Sequence, residues 1–267
     1  MTWTDLHSHI LPGFDDGASS EQEFLEMARK AVEGGTSVMV ATPHYDHESP
    51  AFELPEITEA VVGHNSLLQE RNIPLRLVPG AEVRVNAGLL QSAMKNGGME
   101  GFCLGNSEKY ILVDMPITDM PLAATDAFFH LQLHGMVPIL AHPERNRHLV
   151  EHPAVLRDLV ERGIEMQVNS GSLEGIFGKA ARRTAMSLLN EGASRLVASD
   201  AHGLRARTPD LSRAARVLCD LLGEEAAHLI LEVNPGLVLD GKELTGLTRV
   251  SARRSEPSRG RFWRKPR

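Results

Sequence analysis

Seven short apolar runs recur along this chain, and most stop at a histidine or a carboxylate. The runs are Thr2–Leu6, Ser37–Ala41, Leu75–Pro79, Tyr110–Asp114, Val137–Ala141, Glu165–Val168 and Arg195–Ala198. Each is bounded by glycine, proline or polar residues, and most are continuously apolar, as strands buried on both faces of a parallel sheet must be. Helical patterns fall between them. Glu21–Glu33 follows a capping-box pair, Ser20 and Glu23, and ends at Gly34-Gly35. Further helices are expected at Pro55–Glu70, Pro121–His134, Pro153–Arg162, Lys179–Asn190 and Pro209–Leu222. This βα alternation predicts an α/β fold with a closed or nearly closed parallel barrel. The other option, a doubly wound open sheet, lacks its Gly-rich loop after the first strand. No internal repeat is visible.

The residues just beyond the runs carry the chemistry. The first run leads into Asp5-Leu6-His7-Ser8-His9, and alternation along a strand puts His7 and His9 on one side. His44 follows the second run, Glu82 the third, and Asp114 ends the fourth. His142 follows the fifth, and Asp200 and His202 follow the seventh; Asp16 lies in the loop after the first. In a parallel barrel the C-terminal strand ends share one rim, so five imidazoles and four carboxylates are expected to converge there. Without a cation the carboxylates would repel one another. Two or three divalent ions would offset that charge, and mixed nitrogen and oxygen ligands suit Mn, Fe, Zn or Co better than Ca or copper. Each piece alone has a bland reading as a cap or a surface residue; their joint occurrence at successive strand ends argues for metal. The other seven histidines read as surface or packing residues. His130 and His134 have the helical spacing of a zinc helix, but Leu131 stands where a metalloprotease has its glutamate.

Charge divides the 267 residues in two. From Arg249 to Arg267 eight bases face one acid, Glu256, giving +7. The chain totals −7, so residues 1–248 carry −14. An acidic body argues against nucleic-acid binding. The expected organisation is a barrel over residues 1–248 and a basic, disordered tail over 249–267. No long apolar run or signal peptide is visible, and the two cysteines are far apart, so a reducing cytoplasmic location is expected. Those cysteines also exclude thiol phosphatase chemistry, which needs an arginine six positions on: Lys109 follows Cys103 and Glu225 follows Cys219 at that spacing.

Together, Asp5-x-His7-x-His9, Thr42-Pro43-His44, Glu82, His142 and Ser199-Asp200-x-His202 resemble the PHP (polymerase and histidinol phosphatase) superfamily. Three longer strings narrow the resemblance: His9 to Gly17, Ala141-His142-Pro143-Glu144-Arg145-Asn146, and Gly171 to Gly178. They are similar to the capsule and exopolysaccharide-operon protein-tyrosine phosphatases, over about Met1 to Asn234. The resemblance implies a distorted (β/α)7 barrel, TIM-barrel-like, with its metal centre at the C-terminal strand ends. It implies His7, His9, Asp16, His44, Glu82, Asp114, His142, Asp200 and His202 as ligands of two or three divalent ions, manganese foremost. Arg145 and Arg207 would hold the substrate phosphate. Asp114 stands where the family carries glutamate, one methylene longer.

The implied activity is hydrolysis of phosphotyrosine by a metal-bridging hydroxide, two close metals lowering the pKa of water toward about 7. Glu82 would be the bridging carboxylate. His202 or Asp200 is nearest in sequence logic for a general acid, although a phenol of pKa about 10 needs little help to leave. The resemblance further implies a substrate, the phosphotyrosine-bearing tail of a membrane-associated polysaccharide tyrosine kinase. Two rivals stand beside this reading: a small-molecule phosphoesterase acting on histidinol phosphate or a nucleotide, and a non-catalytic kinase-binding regulator, whose mark would be missing ligands. The basic tail is either solubilising or a peripheral contact with anionic lipid or an acidic partner, with Phe262 and Trp263 as apolar anchors.

Overall fold

The chain, as a computed structural model that describes residues 2–95 and 99–247, is a mixed α/β fold. In order along it lie β1 (Trp3–Ser8), α1 (Glu21–Glu33), β2 (Thr36–Ala41), β3 (His44–Tyr45), α2 (Leu54–Glu70), β4 (Arg76–Pro79), β5 (Glu82–Arg84), α3 (Ala87–Met94), β6 (Tyr110–Asp114), α4 (Ala124–Leu133), β7 (Val137–Ala141), α5 (Arg147–Glu151), α6 (Pro153–Glu161), β8 (Glu165–Asn169), α7 (Ser170–Glu174), α8 (Gly178–Asn190), β9 (Leu196–Ala198), α9 (Ser212–Leu222), α10 (Glu224–His228) and α11 (Asn234–Leu239). The basic tail expected at 249–267 lies outside the described residues.

All seven expected runs form strands, and the pairings between them are parallel. They fall into two sheets, β1-β2-β4 and β3-β5-β6-β7-β8-β9. The short strands β3 and β5 are additional; they carry the chain of β2 and β4 onward past Thr42-Pro43 and Gly80-Ala81. The chain just past β9 meets the end of β1 through two backbone bonds, Asp200 N donating to His7 O and His9 N to Ala201 O, both at 2.9 Å. The two sheets stay separate, so the closed barrel expected from the sequence is not formed as one continuous sheet. Helix α1 begins as expected, Ser20 Oγ accepting from Glu23 N, but the Glu23 carboxylate turns to Ser19 rather than completing the box. Sequence periodicity missed α3 and the run from Glu224 to Leu239. Pro235 reads as a helix stop; a π-helical segment at Leu229–Val233 places it in the first turn of α11, where its missing N–H does no harm.

Strand alternation sorts side chains into two cores. Val40, Val78, Leu112, Ile139, Leu196 and Ala198 join Leu6 in the smaller, closed at its base by Val238. Ile111, Val113, Leu140, Val168 and Val197 face the helices in the larger. Counting on by twos from the smaller core reaches Glu82 from Val78, Asp114 from Leu112 and Asp200 from Ala198, so each strand delivers a carboxylate above an apolar floor. The first strand obeys a different count. Asp5 pairs with Met39 and Ser8 with Ala41, so β1 carries one extra residue there, a bulge that re-aims the histidine-bearing end of the strand. Leu112 is fully buried beneath the site. Leu112→Ala should cost about 2–5 kcal/mol of unfolding free energy in urea titration.

Candidate metal centre

The nine side chains expected from the sequence gather at one end of the strands, eight of them closely. Three sets each bring their ligand atoms within 4.8 Å: His9, Asp16, His44 and His202; His7, Glu82 and His142; His7, His9 and Asp200. His7 and His9 are shared between sets. Asp114 stands slightly apart, Oδ1 3.8 Å from His142 Nε2 and Oδ2 3.6 Å from the Arg84 guanidinium. Two of these residues, His142 (φ 34°) and Asp200 (φ 52°), have left-handed backbone. Such strain, on the order of 1–3 kcal/mol each, collects at functional sites.

Neighbours fix the rings. Gln167 Oε1 lies 2.9 Å from His7 Nδ1, Asp15 Oδ2 2.6 Å from His9 Nδ1, and the Asp200 carbonyl 2.9 Å from His202 Nδ1. A proton on each Nδ1 leaves the Nε2 lone pairs turned inward, the tautomer a metal ligand requires. His7 Nε2 and His9 Nε2 then face each other at 3.1 Å. At most one proton fits between two such nitrogens.

The electrostatics point the same way. Burial opposes charge on Glu82, but the imidazoles of His7, His142 and His44 outweigh it and hold its carboxyl well below the usual range. Burial likewise disfavours charge on His142, yet Glu82, Asp200 and Asp114 lift it to about 9. His9 is raised well above an ordinary histidine by Asp15, Asp200 and Glu82, again against burial. Burial and the charge of His9 push His202 down to about 4. Burial and Glu82 push Asp114 up to about 6. Protons on imidazoles thus do the neutralising when no cation is present, and a cation would displace them. The donor set fits a divalent ion on a further count. Glu82 Oε2 and His202 Nε2 are buried without a hydrogen bond, although each has an ion-pair contact, His44 Nδ1 at 2.7 Å from the first and Asp16 Oδ1 at 3.2 Å from the second.

Two arginines border the cluster. Arg145 donates to Asp200 Oδ2 at 2.6 Å and stacks on Phe177, its Cζ 4.2 Å from the ring centroid. Arg207 lies 3.4 Å from the same oxygen and 3.6 Å from Asp16.

Periodicity overlooked several residues that hold this arrangement. Asp15 accepts from His9, Gly17 N and His44 N. Gln167 and Asn169 sit on one face of β8, Asn169 donating to Asp200 Oδ2 at 2.8 Å. Their signal was two polar side chains spaced by two, Gln167 inside the run read as Glu165–Val168 and Asn169 just past its end. Buried Glu144 accepts from Asn169 N and Ser172 Oγ, which explains two of the longer strings.

The capsular polysaccharide synthesis family CpsB/CapC matches residues 3–240, and the chain belongs to it. It is 38% identical over 228 residues to the tyrosine-protein phosphatase YwqE of Bacillus subtilis (strain 168), covering 85% of this chain and 88% of that one. A chain from the crystal structures of YwqE and of CpsB from Streptococcus pneumoniae, described as metal-dependent tyrosine phosphatases, superposes with a TM-score of 0.83 at 36% identity. That match covers 91% of this chain and 96% of the other. Histidinol phosphate phosphatase from Lactococcus lactis shares the fold alone, with a TM-score of 0.51 at 14% identity over 84% of this chain and 94% of that one.

Asp15→Ala removes the carboxylate that orients His9 while leaving every ligand atom in the chain. Divalent-ion affinity, read by competition with a chromogenic chelator, should fall about 10–100-fold.

Proposed function

We propose that this member of the CpsB/CapC family is a metal-dependent protein-tyrosine phosphatase. The observation that carries the reading is three interlocked ligand sets sharing His7 and His9, with two arginines converging on Asp200 at their edge. We read the two sheets, bridged at Asp200 and His9, as a distorted (β/α)7 barrel over residues 1–248.

His7, His9, Asp16, His44, Glu82, His142, Asp200 and His202 would hold two or three divalent ions, with Asp114 reaching from the side. Manganese is our first choice, and iron, zinc or cobalt would suit the same donors. When bound, the ions neutralise phosphoryl oxygens and acidify water. The chain's own residues do the rest. Glu82, in contact with His7, His9, His44 and His142, is central enough to be shared between ions. Arg145 and Arg207, now paired with Asp200, would bind the non-bridging phosphate oxygens, and the Phe177 ring holds the Arg145 plane for a two-pronged contact. Asp200 and His202 are both held deprotonated near neutrality, which suits ligation better than acid catalysis. A phenol leaving group tolerates that, since its pKa of about 10 lets it depart without full protonation.

The family's role in capsule synthesis supports a phosphotyrosine-bearing kinase tail at the membrane as the substrate. Our reading is an enzyme that meets this tail from the cytoplasmic side; among the described residues no helix is long and apolar enough to cross a membrane. The tail at 249–267 would add a peripheral contact with anionic lipid or an acidic partner.

Chelation should abolish hydrolysis of a phosphotyrosine peptide and Mn²⁺ should restore it; faster turnover of histidinol phosphate would refute the assignment. Arg145→Ala should lower kcat/KM by about a hundredfold or more. Because His142, raised to about 9, is protonated at pH 7 in the cation-free site, metal binding must expel protons. Affinity should therefore rise from pH 6 to pH 8, with proton release seen by calorimetry in buffers of different ionisation enthalpy.

A further inference from the structure

A groove leaves the metal centre at Arg145. Its first chamber, about 390 Å³, is walled by Ile117, Arg145, Phe177, Val150 and Ala180. A second, about 630 Å³, adjoins it at Val150 and Ala180 and lies between α6 and α8 over Leu156 and Leu188. Both fall in the size range of sites that enclose organic ligands. Charges on the second chamber's wall balance, Arg157 and Arg183 against Glu161 and Glu191, so apolar contact rather than net field would select what enters.

The mouth of the groove is built rather than incidental. Gly175 and Gly178, both at positive φ (87° and 88°), bracket the turn that presents Ile176 and Phe177. Ile176 N bonds to Gly171 O at 2.9 Å. Phe177 lies so close over Gly171 that a Cβ there would fall 2.9 Å from the ring. The Phe177 ring of this turn serves Arg145, but metal and phosphate chemistry have no need of an opening that continues away from it. Ile117, at the mouth, is 54% exposed.

We propose that this groove takes the polypeptide flanking the phosphorylated tyrosine of a protein substrate, seating an apolar side chain in the second chamber. The proposal rests on the phosphatase reading. It commits to substrate rather than a second copy of the chain because Arg145 belongs to both places: one side meets Asp200, the other walls the first chamber. A phosphate on Arg145 brings its polypeptide beside Ile117 and Phe177, and two chambers in line suit a strand of chain better than a flat interface. A small metabolite would leave the second chamber empty.

The test compares N-acetyl-phosphotyrosine amide with longer phosphotyrosine peptides carrying leucine or isoleucine at varied distances from the phosphotyrosine, at saturating Mn²⁺. The native enzyme should turn over the best apolar peptides about tenfold more efficiently than the amide. Thr184→Arg, in the wall of the second chamber, should erase most of that ratio, chiefly through KM. Ser187→Trp, at an exposed position on the same wall, should do the same and guards against a misfolded first variant. No apolar preference in the native enzyme, or a ratio that survives both substitutions, overturns the proposal while leaving the phosphatase reading intact. Failure to hydrolyse the amide or p-nitrophenyl phosphate at all overturns both.

Discussion

The interior of this protein is organised around a charge problem. Glu82 and Asp200 are buried with Asp114 nearby, and each strand end that supplies one brings it closer to the others. Carboxylates in so small and dry a volume cannot all stay ionised without compensation. The fold supplies that compensation as imidazoles, which are the one side chain able either to carry the needed protons or to give them up to a metal near neutral pH. His9, His44 and His142 are raised and His202 lowered, so neighbours of the same chemical type are shifted in opposite directions. A cation entering such a site would release protons from these rings.

Keeping the framework still is the task of residues outside the candidate ligand sets. Asp5, wholly buried, accepts from Ser199 N at 2.9 Å and so ties the start of β1 to the strand end that carries Asp200. Asp15 does the same between the loops of His9 and His44. Glu144 anchors the segment from Asn169 to Ser172, and Asn169 in turn holds Asp200. With these ties in place the left-handed backbone of His142 and Asp200 can persist, because the surroundings determine it several times over.

The range of the forces involved decides how much of this architecture is legible in the sequence. Strands were legible because burial on both faces demands an unbroken apolar run, and Tyr110–Asp114 and Val137–Ala141 coincide with β6 and β7 residue for residue. The convergence of the candidate ligands was legible because the end of a parallel strand is a fixed place in space, so His44, Glu82 and His142 had to meet once the strands were in order. The short strands β3 and β5 were not, since two or three residues leave no periodicity. Nor was Asp15, whose role depends on the turn that folds it back under His9 rather than on its spacing. The bulge in β1 is the instructive case: simple alternation put His7 and His9 on the same side, which they are, yet only the extra residue between Asp5 and Ser8 brings that side to face the others.

Asp200 joins the two halves of the chemistry. One of its oxygens lies 3.5 Å from both His7 and His9, among the candidate metal ligands; the other receives Arg145 and Asn169. With metal bound, the same carboxylate would face cations of two kinds. An anion arriving at Arg145 and Arg207 would draw on guanidinium charge that Asp200 now uses, and Asp200 would lean correspondingly harder on whatever occupies the histidine side. Phosphate and metal would then not bind independently, since each would change how much of one carboxylate is left for the other. Asn169 would limit that shift: its amide hydrogen bond to Asp200 Oδ2 does not depend on either partner, so the left-handed turn at Asp200 would not need to relax if the arginines turned toward substrate.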